Sequence, residues 1–208
     1  MLKKDIIKEI IDNKLLYISP TINEADWILL KNNNRTPIFL DTSKFISFPS
    51  LLEKVNYLII EIIKDKAIAF DKIIGIPYGG LPFSYGVTNL LKVSGLTIRK
   101  EGFKNYSTKG ELLGNYKKGD KVLIIEDATV TANTVIEFVS KLKASDLKIK
   151  DVITVLDIER SAKENLARLG IDLNPLFTWK ELYETYRKEY PDLISEDMKV
   201  FLDKFVSN

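Results

Sequence analysis

KVLIIEDATVTANTV, residues Lys121 to Val135, is the stretch on which the fold turns. Val122, Leu123, Ile124 and Ile125 form the continuous apolar run of a strand buried on both faces, and the run breaks at the adjacent carboxylates Glu126 and Asp127. Ala128, Thr129, Val130, Thr131, Ala132, Asn133 and Thr134 follow, mostly small or hydroxylated, and open a helix. Carboxylates at the C-terminal edge of a parallel sheet lie where open α/β folds bind ligands, and they accept hydrogen bonds from sugar hydroxyls. Backbone N–H groups from Ala128 to Thr134, with the hydroxyls of Thr129, Thr131 and Thr134, supply donors for an anion at the positive end of that helix. Phosphate beside a diol is the ligand this order of groups implies. Taken alone, the segment also reads as an ordinary strand-to-helix turn in which Asp127 or Thr131 only caps the helix.

The flanking sequence repeats the alternation. Pro49 opens an apolar-periodic helix over Ser50 to Lys64, and a strand from Lys72 to Ile76 is closed by Pro77-Tyr78-Gly79-Gly80. A helix from Leu81 to Val93 and a strand from Thr97 to Arg99 precede a long polar stretch, Gly102 to Lys118. After Lys121 to Ile125 come a helix from Ala132 to Ser145, a strand from Val152 to Asp157 and a helix from Ala162 to Leu169. This order predicts an α/β fold, a central, mainly parallel twisted sheet flanked by helices with right-handed crossovers. Upstream, a helix from Leu2 to Asn13, a strand or turn at Leu15 to Ser19 and a short strand at Ile38 to Leu40 predict a small N-terminal hood over residues 1–48. The core then covers 49–208, in one domain of 208 residues.

Composition removes several chemistries. The chain has no histidine, which excludes Ser-His and Cys-His catalysis and most zinc sites, and no cysteine for disulfides or thiolate metal sites. Carboxylates, lysines, tyrosines and backbone donors remain. A net charge of +2, with lysines dispersed along the chain, argues against a nucleic-acid partner. Apolar runs such as Tyr57 to Ile63 are interrupted by Glu and Lys well before the ~20 residues of a membrane span. The start, MLKKDIIKEIIDNK, has the rhythm of an amphipathic helix rather than a signal peptide, so a cytoplasmic protein with no membrane partner is expected.

Lys121 to Val135 resembles the PRPP-binding motif of the type I phosphoribosyltransferases, and its neighbours are similar to the orotate-using branch of that family. RTPIFLDTSKFISFPSLL (Arg35 to Leu52) resembles the family's N-terminal region, and FDKIIGIPYGGLPFSYGV (Phe70 to Val87) the strand and turn that hold pyrophosphate. IRKEGFKNYSTKGELLG (Ile98 to Gly114) is similar to the catalytic loop, and VLDIERSAKENLARLGIDLNPLFTWKEL (Val155 to Leu182) to the C-terminal strand, helix and strand. Five short motifs in one order over roughly 150 residues are far more specific than any one of them.

The resemblance implies transfer of ribose 5-phosphate from PRPP to orotate, giving orotidine 5′-monophosphate and pyrophosphate in de novo pyrimidine synthesis. It implies Mg2+ bound mainly through PRPP, with no protein metal site, and a homodimer. Lys104, Asp127 and Lys100 would be catalytic. Tyr78, Gly79, Arg99, Lys100 and the run from Glu126 through Thr134 would bind PRPP, and Lys31, Phe39 and Arg160 the base. Val130, Thr131, Ala132, Asn133 and Thr134 stand where the family has two threonines, two glycines and a serine. Ala132 costs roughly 1 kcal/mol or more if its position is left-handed. Ile158 falls where the family's arginine grips the orotate carboxylate, and Ser43 where another arginine is usual. A lost charge-assisted hydrogen bond is worth ~1.5 to 3 kcal/mol, which Arg160 could restore from two residues on. A related transferase with a different base, or a non-catalytic PRPP- or nucleotide-binding regulator, stays open on these departures.

Overall fold

Ile124 and Ile125 are wholly excluded from solvent, and the strand that carries them organises a six-stranded sheet in the computed structural model of the chain. The structure describes residues 2–30, 33–98 and 112–207. Its contacts form two compact units, Leu52–Phe177 in one, Met1–Leu51 with Thr178–Asn208 in the other. The N-terminal segment therefore groups with the C-terminal one, an addition that a hood ending at residue 48 leaves out.

In chain order the regular elements are α1 (Leu2–Asp12), β1 (Leu16–Ile18), β2 (Ile28–Leu29), β3 (Arg35–Thr36), β4 (Ile38–Leu40), α2 (Pro49–Asp65), β5 (Lys72–Gly75), α3 (Leu81–Leu91), β6 (Ser94–Ile98), β7 (Leu112–Leu113), β8 (Val122–Thr129), α4 (Asn133–Ala144), β9 (Asp151–Asp157), α5 (Ala162–Ala167), β10 (Asp172–Thr178), α6 (Trp179–Glu189) and α7 (Glu196–Ser207). The sheet order is β10-β9-β8-β5-β6-β7. β5 pairs in parallel with β6 and β8, β8 with β9, and β7 is antiparallel on the edge of β6. This is the α/β fold with a mainly parallel sheet that the sequence predicts. The chain leaves β5 for β6, then recrosses to β8, so strand order reverses between β5 and β8. A crevice opens at the carboxyl ends of two such strands, and there open α/β sheets bind ligands.

β8 runs to Thr129, four residues past the strand end expected at Ile125. Its partner decides this: Ala128 stands opposite Leu156, Thr129 opposite Asp157, and the Ile158 N–H donates to the Thr129 carbonyl at 2.9 Å. The backbone of the acidic segment is thereby paired before the chain turns. Side chains of β8 alternate between the two faces of the sheet. Val122 and Ile124 join one buried cluster with Val135, Phe138, Val139 and Leu142 of α4, the i, i+3, i+4, i+7 stripe of a core-facing helix. Leu123 and Ile125 are as deeply buried on the other face. Each such side chain contributes about 1.5 to 3 kcal/mol of burial. α5 stops at Ala167, short of the expected Leu169, where Gly170 takes a positive φ of 70° and its N–H donates to the Ala167 carbonyl.

In the other unit, Ile6, Ile7, Ile10 and Ile11 of α1 are buried, and β1 pairs antiparallel with β4. α6 opens with a capping box. The Thr178 hydroxyl accepts from the Glu181 N–H at 3.2 Å, while the Glu181 carboxylate accepts from the Thr178 N–H at 3.0 Å. Lys3 donates to that same carboxylate at 2.7 Å. Among the described residues no helix is long and apolar enough to cross a membrane.

Candidate active site

The turn after β5 folds directly beside the end of β8. The Ile76 N–H donates to the Ile125 carbonyl at 3.0 Å, the Gly80 N–H to the Ile76 carbonyl at 2.9 Å, and the Ser84 N–H to the Gly80 carbonyl at 3.0 Å, which leads the turn straight into α3. A Cβ at Gly80 would collide with the Ile125 carbonyl and the Ile76 backbone, and one at Gly79 with the Asp127 carboxylate. Glycine is needed at both places for that approach. The Pro77–Tyr78 peptide is cis, and Tyr78 is 69% exposed, so its ring stands at the rim of the crevice rather than in the core.

Opposite this turn, Val130, Thr131 and Ala132 connect β8 to α4. Ala132 sits at the N-cap with φ 60° and ψ 18°, the left-handed conformation that the family's glycines would take without strain. Among the described residues the N–H groups of Val130, Thr131, Ala132, Asn133 and Thr134 find no acceptor. They form a row of donors at the positive end of a 12-residue helix, an arrangement that suits an anion. Asn165 of α5 fixes the row from behind. Its side-chain amide donates to the Thr131 carbonyl at 3.0 Å and to the Ser161 hydroxyl at 3.2 Å. Sequence reasoning missed Asn165, because nothing in its local pattern separates it from a polar residue on a helix surface.

One expected donor is turned away. Thr129 is 2% exposed and its hydroxyl lies 3.5 Å from both the Leu156 carbonyl and an Asp157 carboxylate oxygen, because Thr129 belongs to the strand and not to the loop. Thr131 and Thr134 keep their hydroxyls at the loop, half-buried and exposed respectively.

The acid pair is electrostatically asymmetric. Glu126 is 5% exposed, and burial first, then hydrogen bonding to and repulsion from Asp127, push its carboxyl up to about 10. The Asp127 N–H donates to Glu126 Oε1 at 3.0 Å. At neutral pH Glu126 therefore keeps its proton. A dianionic pair would repel a phosphate in this crevice, whereas a neutral Glu126 can donate as well as accept. Burial also raises Asp157, which accepts from the Glu159 N–H at 3.0 Å.

A cavity of about 360 Å3 joins the two turns, lined by residues 76–79 and 126–135. It brings together Tyr78, Gly79 and the whole predicted run from Glu126 to Thr134. Arg160 is exposed in the turn between β9 and α5 and does not line this cavity. Phe39, in β4 of the other unit, is half-buried and lines a second cavity with Tyr17, Ile28 and Tyr186. Lys31, Arg99, Lys100 and Lys104 lie outside the described residues.

The family model of the phosphoribosyl transferase domain matches residues 44–179, a span that contains both turns and the donor row. The chain belongs to the phosphoribosyltransferase family. This phosphoribosyltransferase is 33% identical over 157 residues to the orotate phosphoribosyltransferase of Methanocaldococcus jannaschii, with 76% of this chain and 87% of that relative covered. Two solved structures share the fold. The UMP synthase of Leishmania donovani superposes with a TM-score of 0.81 at 24% identity, over 99% of this chain and 42% of that one. The orotate phosphoribosyltransferase of Aeropyrum pernix does so with a TM-score of 0.70 at 19% identity, over 86% and 96%. A pentosyl-transferring enzyme needs anion donors beside diol acceptors, and the phosphoribosyltransferase crevice contains both.

Proposed function

We propose that this chain transfers the 5-phosphoribosyl group of PRPP to orotate, forming orotidine 5′-monophosphate and pyrophosphate in pyrimidine synthesis. The observation that carries this reading is the row of N–H groups from Val130 to Thr134, without acceptors among the described residues, in one cavity with Asp127. The row takes the 5-phosphate, and Asp127 with Glu126 accepts from the ribose hydroxyls. Orotate as acceptor rests on the likeness to the Methanocaldococcus jannaschii relative.

In the transfer, the bond from the ribose anomeric carbon to pyrophosphate breaks with its electron pair on the departing oxygen, and a ring nitrogen of the base bonds to that carbon. Positive charge gathers on the ribose on the way, so the site works by placing anions and excluding misorientation, without a histidine. Tyr78 and Gly79 supply close backbone approach for pyrophosphate. By resemblance Arg99 and Lys100 hold its charge, Lys104 neutralises it as it leaves, and Lys31, Phe39 and Arg160 meet the base. Glu126 keeps its proton at neutral pH and can donate as well as accept, which suits a ribose hydroxyl better than a cation and fits magnesium carried by the substrate's diphosphate and water. Glu126 and Asp127 would hold the ribose hydroxyls beside such an ion. When bound, magnesium would neutralise part of the pyrophosphate charge. A homodimer and a cytoplasmic setting belong to the same reading, tested by light scattering and by fractionation.

A second reading keeps the transfer and changes the base. Ile158, half-buried and tied by its N–H to Thr129, puts an aliphatic side chain where the family's carboxylate-gripping arginine falls. Incubation with PRPP, magnesium and orotate, followed by absorbance and pyrophosphate release, separates the two. Orotate loss with stoichiometric pyrophosphate supports the first, whereas turnover with uracil and none with orotate selects the second. PRPP binding with no turnover on any base overturns both.

A further inference from the structure

The opposite edge of the same sheet carries another cavity, of about 620 Å3, which the transfer reaction does not use. Its walls come from the segments that lead into four strands. Lys66 to Ala69 precede β5, Lys121 precedes β8, Lys148 to Lys150 precede β9, and Asp172 to Asn174 open β10. The Asp172 N–H donates to the Lys150 carbonyl at 2.8 Å, so the starts of β9 and β10 lie side by side. Lys163 and Ala167 of α5 close the wall. β8 spans 8 residues, which at ~3.3 Å each sets this edge roughly 25 Å from the crevice at its other end.

Five lysines line the cavity, Lys66, Lys121, Lys148, Lys150 and Lys163, against two carboxylates, Asp151 and Asp172. None of the five forms an ion pair among the described residues, whereas Lys3, Lys8, Lys44, Lys72, Lys118, Lys141 and Lys199 all do. Helix dipoles do not balance them. The C-terminal ends of α2 and α5 carry roughly half a negative charge each at most, which with both aspartates leaves about two positive charges over. The floor is apolar, built from Ile149, Ile171 and Leu173, all buried. Asp151 accepts from the Asn174 amide at 3.3 Å and keeps acceptor capacity for a donor on a ligand. The volume lies in the ~300 to 1,000 Å3 range of small-molecule sites.

We propose that this cavity binds a nucleoside polyphosphate, its phosphates among the lysines and its base on the apolar floor with Asp151 or Asp172 accepting from its amino or hydroxyl groups. The site is separate from the transferase crevice and joined to it by β8, whose first residue follows Lys121 and whose seventh and eighth, Ala128 and Thr129, line the crevice. Its occupant therefore does not compete with PRPP for the crevice.

ATP and inorganic tripolyphosphate are the probes, titrated into isotope-labelled full-length protein with backbone amide shifts as the readout. The expected result is saturable shifts at residues 66–69 and 148–151 with ATP, a dissociation constant below about 1 mM, and no displacement by saturating PRPP. The double variant Lys150→Glu, Lys163→Glu should weaken ATP at least tenfold and leave basal transfer unchanged, since both side chains are exposed and lie outside the crevice. Shifts confined to 128–134, displacement by PRPP, or unchanged affinity in the double variant would each overturn the site. Tripolyphosphate binding as tightly as ATP overturns the nucleoside part and reduces the cavity to a phosphate clamp. Because the readout is binding, an absence of orotate transfer leaves this test intact.

Discussion

The Asp127 carboxylate rests on the α-carbon of Gly79, so that the turn after β5 and the acidic end of β8 fix each other's position. The three nearest atoms that a Cβ at Gly79 would meet all belong to that carboxylate.

Gly79→Ala therefore displaces the acid and spares the chain trace. Steady-state kinetics should show kcat/KM for PRPP lower by at least tenfold, about 1.4 kcal/mol, with the melting temperature down by only a few degrees. Asp127→Asn should give a loss of the same order. Full activity in Gly79→Ala would mean that the carboxylate has no required place.

Glu126 brings a pH dependence whose sign is fixed by its raised pKa. The folded state holds a proton that the unfolded chain releases from 4.5 upward, so the stability this carboxyl contributes is complete below about 4.5 and is lost as pH rises through about 10. Glu126→Gln removes the linkage. Its melting temperature should match the parent near pH 4 and gain on it steadily from about pH 6 to 9, by at most ~1.4 kcal/mol per pH unit. A gap that stays constant with pH would show that Glu126 ionises normally in the fold.

Asn165 acts on the donor row without touching a ligand. Asn165→Ala should weaken PRPP about 3- to 10-fold by calorimetry, the worth of one neutral hydrogen bond at ~0.5 to 1.5 kcal/mol. Asn165→Asp should be worse than alanine, because it sets a carboxylate against the Thr131 carbonyl and adds negative charge behind an anion site. Equal affinity in all three proteins would show that α5 does not hold the loop.

At Ala132 two effects oppose each other. Glycine relieves about 1 kcal/mol of left-handed strain and forfeits a buried methyl of about 0.8 kcal/mol. Ala132→Gly should thus leave stability within ~0.5 kcal/mol of the parent, while Ala132→Val, β-branched at positive φ, should lose about 2 kcal/mol or more in denaturant titration. A glycine variant more stable by over ~1 kcal/mol would show that the methyl packs against nothing useful.

What the sequence made legible was local or periodic. The apolar run before Glu126, the glycine turn at Gly79 and Gly80, and the helices on either side carry their own signals. Ala132 could be marked as a strained position from its neighbours alone. The extension of β8 to Thr129 could not be read, because it depends on β9 supplying partners from residue 154 onward, and with it went the orientation of the Thr129 hydroxyl. Asn165 reaches Thr131 across 34 residues of chain. The lysines that look dispersed in sequence include five gathered at one edge, since Lys66, Lys121 and the pair Lys148 and Lys150 lead into three parallel strands and Lys163 lies on α5 beside them.

The joining of Met1–Leu51 with Thr178–Asn208 has a consequence for synthesis. The sheet unit is one uninterrupted stretch and can close on itself as soon as Phe177 has left the ribosome. The other unit is interrupted by it. Glu181, which both caps α6 and holds Lys3, is made 178 residues after that lysine. At ~5 to 20 residues per second, α1 waits on the order of ten seconds or longer for its partner helix. The discontinuous unit is thus the later of the two to close.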